Sequence, residues 1–295
     1  MKNKLLTSLL LIPMCLLAGC ESTSYKPKEL DPNVKYDDVY LIMGQSNASG
    51  VSEHKYLKDV EPELYETYSK GNDKVLISYD VIYQNENEFV PTKFGFGDDE
   101  QYFGPEIGIA DVLSKKESKS YIIKATLSAS CLQNEYVSNK GKKLKRYNYF
   151  LKFIKKQLKA LEANNIHPRV RGMFWMQGES DSFFDFRYKY DIAEQYFLDY
   201  IRHDLNNWIY EYFNFVDAYI FTKGVCWVEP EVINACKQKV CDSNEHCYCI
   251  KTNGEDETAI TLDIKSNTNE ENDLAHYCSK SMLLLGRTAG SYLMK

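Results

Sequence analysis

The residues of this chain that could carry chemistry fall at the ends of apolar runs. In LIMGQSNASG, residues 41–50, a greasy run empties into Gly44 and hands over to Gln45, Ser46 and Asn47. The carboxyl edge of a parallel sheet is where open α/β folds hold ligands, and a serine there can attack an ester carbonyl. Serine is also a favoured helix N-cap, so this stretch alone leaves both roles open. Two further runs end in the same way, 120–127 at Ser128-Ala129-Ser130 and 170–177 at Gln177-Gly178-Glu179-Ser180-Asp181. Converging on one rim, these ends would offer a nucleophile and donors for a developing oxyanion, two of the parts that acyl transfer needs.

The missing part is a base. Of the five histidines, His54, His167, His203 and His246 lie in a loop, before a proline, on a helix and among cysteines, none with a carboxylate suitably placed near a strand end. In NDLAHYC, Asp273 precedes His276 by three residues. That spacing puts both side chains on one side of a turn entering the last helix, where the carboxylate can hold the imidazole. Asp273 could equally cap that helix, leaving His276 at the surface.

The elements that must position these groups are legible from periodicity. Apolar, β-branched runs recur at 39–44, 75–83, 120–127, 170–177 and 217–225. Between and after them come segments of helical period: one from Gly104, one ending at Asn165, one ending at Ile209, and one near the C-terminus. In the second, Phe150, Ile154, Leu158 and Leu161 form one apolar stripe against a ring of lysines. Strands alternating with helices predict an α/β three-layer sandwich with a central parallel sheet of about five strands. No internal repeat is present. The polar, cysteine-rich stretch from Glu229 to Glu271 reads as an insertion into the last loop, not a second domain.

The first 19 residues read as a secretory signal: two lysines, a greasy core from Leu5 to Leu17, then small residues before Cys20. That core is too short for a comfortable membrane span. Leu17-Ala18-Gly19-Cys20 resembles a bacterial lipobox, which makes Cys20 the expected lipid-bearing residue and places the protein in the cell envelope. Residues 20–37 read as a polar tether and 38–295 as one domain. The formal net charge is −6, two units more negative without Lys2 and Lys4, and no basic block occurs, which argues against nucleic acid as a partner. Besides Cys15 and Cys20 there are seven cysteines, six of them in the last third, which in an exported chain points to disulfides. Six cysteines allow 15 pairings, so none is assigned. The gaps in CKQKVCDSNEHCYC do not match the usual zinc spacing. Cys131 stands apart as a small buried thiol.

Taken in order, Ser46 in GQSN, GPEIG at 104–108, WMQGESD at 175–181 and Asp273-Leu-Ala-His276 resemble the SGNH/GDSL hydrolases. The similarity is to the branch of the sialate O-acetylesterases and acetylxylan esterases, and it runs from about Tyr40 to Gly290. It implies a flavodoxin-like sandwich and removal of acetyl groups from a carbohydrate such as sialic acid or acetylated xylan, with no metal or other cofactor. It makes Ser46 the nucleophile, His276 the general base and Asp273 its orienting partner. As oxyanion donors it implies the backbone N–H of Ser46, a backbone N–H at Ser128 or Ala129, and the Gln177 side-chain amide, with Gln45 and Asn47 lining the same site. The branch usually has Gly-Gly where this chain has Ser128-Ala129, and a residue with a Cβ resists positive φ. Glu179 could serve His276 in place of, or together with, Asp273, or could hold Gln177 and the Ser46 turn by hydrogen bonds. A lipase or thioesterase taking longer acyl chains, and a glycan-binding protein without turnover, stay open as alternatives. Oligomeric state is not readable.

Overall fold

The computed structural model describes residues 26–295, so the expected signal and the lipid site at Cys20 lie outside the described residues. The chain runs β1 (Tyr36–Gly44), α1 (Ser46–Ser49), β2 (Ser52–Glu53), α2 (Pro62–Lys70), β3 (Asn72–Asp80), β4 (Asn85–Thr92), β5 (Tyr102–Phe103), α3 (Pro105–Leu113) and β6 (Ser120–Thr126). It continues through α4 (Lys145–Ala163), β7 (His167–Met176), α5 (Tyr190–Asp204), β8 (Asn214–Ala218), α6 (Pro230–Asp242), β9 (Cys247–Ile250) and α7 (Ser279–Leu293). Seven strands form one sheet in the order β4-β3-β6-β1-β7-β8-β9, all parallel except β4 on β3. The central strands read as unbroken apolar runs because helices cover both faces: every residue of β6 is buried, as is β1 from Asp38 onward.

All five expected parallel strands are present, and the differences have physical causes. The last is Asn214–Ala218 and not 217–225, because Gly224 and the residues around it turn away after the strand has paired with β7. The stretch read as an insertion opens with α6 and β9, and β9 is a full member of the sheet, parallel to β8. Its polarity misleads because Lys237 is wholly buried, its ammonium 2.6 Å from the Asp217 carboxylate of β8. The tether also ends earlier than expected. Tyr36 and Asp37 already belong to β1, and Lys28 bonds through its backbone to Ile209 and Glu211.

The apolar stripe of α4 is buried as its period requires, with Phe150, Ile154, Leu158 and Leu161 against the sheet. On the other side α3 and α7 approach at Gly108 and Gly286. A Cβ on Gly108 would lie 2.5 Å from Leu283 O, and one on Gly286 would lie 2.5 Å from Pro105 O. The second glycine of GPEIG is thus a packing residue: it lets α7, and the turn that leads into it, sit close to α3.

Candidate active site

The turn that carries Ser46 is built by Gly44. Its φ is +142°, and a Cβ there would stand 2.0 Å from Met176 O and 2.9 Å from the Ala48 Cβ, so only glycine lets β1 turn so close to β7. The turn is pinned from both sides, with Gln45 N–H donating to Met176 O at 3.0 Å and Leu127 N–H donating to Gly44 O at 3.1 Å. Gln45 occupies the N-cap and makes no side-chain cap bond, which leaves Ser46 as the first helical residue. Ser46 is therefore not acting as a cap. It is 7% exposed, and its hydroxyl makes no hydrogen bond to any described residue.

Below the turn lies an ion pair with both side chains fully buried. Lys124 on β6 donates to Glu106 Oε2 at 2.7 Å, to Ser49 O at 2.6 Å and to Phe96 O at 2.8 Å. Glu106, the acid of GPEIG, also accepts the Gly104 N–H at 2.8 Å. The ammonium thus closes the carbonyl end of α1, and Glu106 supplies its counter-charge.

Three strand ends meet as the periodicity predicts, and Gln177 stitches them. Its Nε2 donates to Gln45 Oε1 at 3.1 Å, Ser130 O at 3.0 Å and Asp181 Oδ2 at 2.7 Å, while its Oε1 accepts the Tyr190 hydroxyl at 2.8 Å. This corrects the expected role of Gln177 as an oxyanion donor: the amide is wholly buried and its two N–H bonds are already engaged inside the protein. Asp181 also accepts the N–H groups of Leu132 and Gln133. Burial raises its pKa to about 6, against the opposing pull of those three donors.

His276 lies on a hook between β9 and α7. Its Nδ1 is 2.7 Å from Asp273 Oδ2, and Asp273 Oδ1 accepts the backbone N–H groups of Ala275 at 2.8 Å and His276 at 3.2 Å. Asp273 does not cap α7, whose N-cap is Cys278. Burial would raise the Asp273 pKa, but the hydrogen bond and charge of His276, the Ala275 N–H and the charge of Lys265 outweigh it and hold the carboxyl at about 2. Lys265 is 1% exposed and bridges Glu271 at 2.9 Å and Asp273 at 3.7 Å.

Asn47 joins hook to turn. Its Nδ2 donates to Ala275 O at 3.3 Å and its Oδ1 accepts the Tyr277 N–H at 3.3 Å, one bond on each side of His276. The same Nδ2 donates to Glu179 Oε1 at 2.9 Å. Glu179 is fully buried, bonds to neither His276 nor Gln177, and has its pKa raised by burial. Its reach to the histidine runs through Asn47. Asn47 is accordingly a brace inside the protein, with its amide and carbonyl both engaged.

The segment at the end of β6 adopts the backbone that the glycine pair of the family would take easily. Ala129 has φ +57°, a left-handed conformation that costs an alanine about 1 kcal/mol, and the Ser128 hydroxyl donates to the Asp98 carboxylate. The backbone N–H groups of Ser46, Ser128 and Ala129 donate to no described residue. Sequence reasoning missed Lys124, Tyr190 and Asp98, whose partners are a dozen residues or more away along the chain, and Lys265, whose partners Glu271 and Asp273 are near in sequence. The one available signal was the strand placement of Lys124, a lysine inside an apolar run.

Residues 36–293 match the model of the carbohydrate esterase family described as sialic acid-specific acetylesterase, SASA. The chain belongs to that family, and its activity class is that of a carbohydrate esterase. Among solved structures it is similar to a protein from Arabidopsis thaliana, at 15% identity over 88% of this chain and 99% of the other, with a TM-score of 0.63. It is similar also to NanS, at 13% identity over 88% and 97% of the two chains, with a TM-score of 0.61. At these identities the likeness shows the fold. A search of curated proteins finds no match.

Proposed function

We propose that this protein removes O-acetyl groups from a carbohydrate through an acyl-enzyme on Ser46. One observation carries the reading: an imidazole held by a carboxylate at 2.7 Å sits on a hook whose position is fixed by Asn47, the residue next to the serine. His276 Nε2 takes the Ser46 proton as Oγ attacks the acetyl carbonyl, then returns it to the sugar oxygen as the C–O bond breaks. Water, deprotonated by the same imidazole, attacks the acetyl-serine, and acetate leaves as the proton passes back to Ser46. The carbonyl oxygen becomes an anion in both halves. The backbone N–H groups of Ser46 and of Ser128 or Ala129 are its donors, each worth about 10²–10³ in rate.

The first test is acetate release from p-nitrophenyl acetate by the wild type and by Ser46→Ala of verified fold. A loss of about 10⁴-fold or more is expected. Equal activity in the two proteins would remove Ser46 from the mechanism.

The reading extends to the cell envelope. Export with lipid on Cys20 is tested by the mass of the purified N-terminal peptide, where an unmodified Cys20 would end the idea. In that compartment a disulfide is expected to form within the cluster of Cys241, Cys247 and Cys249, which are free thiols in the structure and close enough to one another to cross-link. Peptide mapping without reductant reports that bond directly.

A further inference from the structure

We infer that the loops after β7, β8 and β9 form an apolar shelf that binds the sugar ring of the ester, with Phe183 and Trp227 at its centre; the inference rests on the acetylesterase reading above. Of the large apolar side chains exposed among the described residues, Phe183, Phe184, Tyr188, Val228 and Leu274 all lie in these loops, Phe183 at 49% and Leu274 at 47%. The loops are tied into one surface. The partly buried Trp227 meets the Phe183 ring edge to face with centroids 5.9 Å apart. On the first loop, Arg187 Nε at 2.7 Å and the Tyr188 hydroxyl at 2.8 Å both donate to the Glu229 carboxylate on the second. The second loop also borders the hook: Phe221 packs edge-on against Tyr277, the neighbour of His276, and Cys226, next to Trp227, lies within charge range of Asp273.

Strand order decides which part of the substrate meets this surface. In β6-β1-β7-β8-β9, the proposed oxyanion donors at Ser128 and Ala129 follow β6, on one side of Ser46, and the three loops follow the strands on the other side. An ester seated with its carbonyl oxygen on the β6 side turns its alkoxy oxygen toward His276 and the sugar beyond it toward the shelf. A sugar ring suits such a surface because its face is a row of C–H groups and its edges are hydroxyls. The aromatic rings offer contact to the first, and the Glu229 carboxylate, 49% exposed at one end of the shelf, offers an acceptor to the second. Apolar side chains left in solvent beside a reactive site are a feature of binding surfaces. Loss of an apolar contact of about 50–100 Å² weakens binding by about eight- to seventy-fold. Because that contact is made in ground state and transition state alike, its loss raises KM and leaves kcat nearly unchanged.

The experiment measures kcat and KM for acetate release from O-acetylated sialic acid, from an O-acetylated methyl xyloside and from ethyl acetate, which has no ring. The proteins compared are the wild type, Trp227→Ala, Phe183→Ala and, as a control, Tyr83→Ala, which removes an exposed ring from the turn between β3 and β4. On the sugar ester that the wild type cleaves better, Trp227→Ala is expected to raise KM by about eight- to seventy-fold and Phe183→Ala by at least about three-fold. In both, kcat should stay within about two-fold, and the loss on ethyl acetate should be at least about five-fold smaller than on the sugar ester. The control should behave as the wild type. An equal loss on ethyl acetate and the sugar ester would overturn the inference, as would an unchanged KM in Phe183→Ala, an exposed position that decides the matter where Trp227→Ala does not fold. A wild-type preference for p-nitrophenyl octanoate over the acetate would give the surface to an acyl chain, and a dimer that dissociates in the variants while KM stays put would give it to a second copy; either result overturns the inference. Wild-type protein that cleaves ethyl or p-nitrophenyl acetate but neither sugar ester would remove the shelf and leave the chemistry of Ser46 standing. Folded wild-type protein that cleaves none of these esters would overturn the esterase reading itself, and this inference with it.

Discussion

The two halves of the site are built in opposite ways. The frame formed by Gln45, Gln177, Glu179 and Asp181 is buried, and its side chains bond one another across three strand ends. The hook that carries Asp273 and His276 is partly exposed, at 18% and 22% for the two side chains, and hangs on a few local bonds and on Asn47. The difference assigns separate work to the two regions. In the proposed mechanism the imidazole must reach a substrate that arrives from solvent, whereas the turn that carries Ser46 must hold a conformation that only a rigid surround can keep. Changes in the hook should cost turnover with little loss of stability, and changes in the frame should cost stability first.

The sharpest division lies between the two acids that could serve His276. Asp273→Asn is expected to lower kcat by about 10³–10⁴-fold while the fold persists, because the imidazole loses the partner that fixes its tautomer. Glu179→Gln keeps an acceptor for Asn47 and should lower kcat by no more than about ten-fold. Steady-state kinetics beside thermal melts of both variants decides this, and a larger loss in the glutamate variant would reverse the assignment.

Beneath the turn, Lys124→Met leaves Glu106 as an unpaired buried charge and should cost about 3–5 kcal/mol of stability in urea titration. A destabilisation under about 1 kcal/mol would show that the ion pair is not needed to hold α1.

Asn47→Ala sits on the boundary between the regions. It removes both bonds to the hook and the partner of Glu179, and a displaced imidazole should cost about 10²-fold in kcat with KM little changed. An effect on KM alone would place Asn47 on the substrate instead.

The smallest expected effect is a pH dependence inside the frame. Asp181 has its folded pKa raised from 3.8 to about 6, so the folded state binds its proton more tightly than the unfolded chain does. The stability this contributes is full below the unfolded value and is lost as pH rises through about 6. Melts of wild type and Asp181→Asn between pH 4 and pH 7 should therefore show the wild type losing stability relative to the variant as pH rises. Parallel curves would mean that Asp181 is not protonated more readily in the folded state.

Much of the architecture was written in local pattern. The periods of 39–44, 120–127 and 170–177 give the strands that carry the site, because central strands of a covered parallel sheet must be apolar on both faces. Gly44 before Ser46, the Asp273-x-x-His276 turn and the order of the four motifs likewise needed no coordinates. The polar stretch holding α6 and β9 could not be placed in this way. A buried lysine such as Lys237 has the composition of a surface until its partner on β8 is known.

The sequence by itself determined which candidate polar residues follow the apolar runs that become the central strands, since this follows from residue types and from periods a few residues long. Only the tertiary structure decided what each polar group in the motifs is bonded to. Gln177 is engaged by Gln45, Ser130, Asp181 and Tyr190, Glu179 by Asn47, and Lys124 by Glu106. A hydrogen bond is satisfied by whichever partner the fold brings within about 3 Å. For most of these groups that partner lies tens of residues away or more, so the same amide that reads as an oxyanion donor in the chain becomes, once folded, the stitch that holds the rim together.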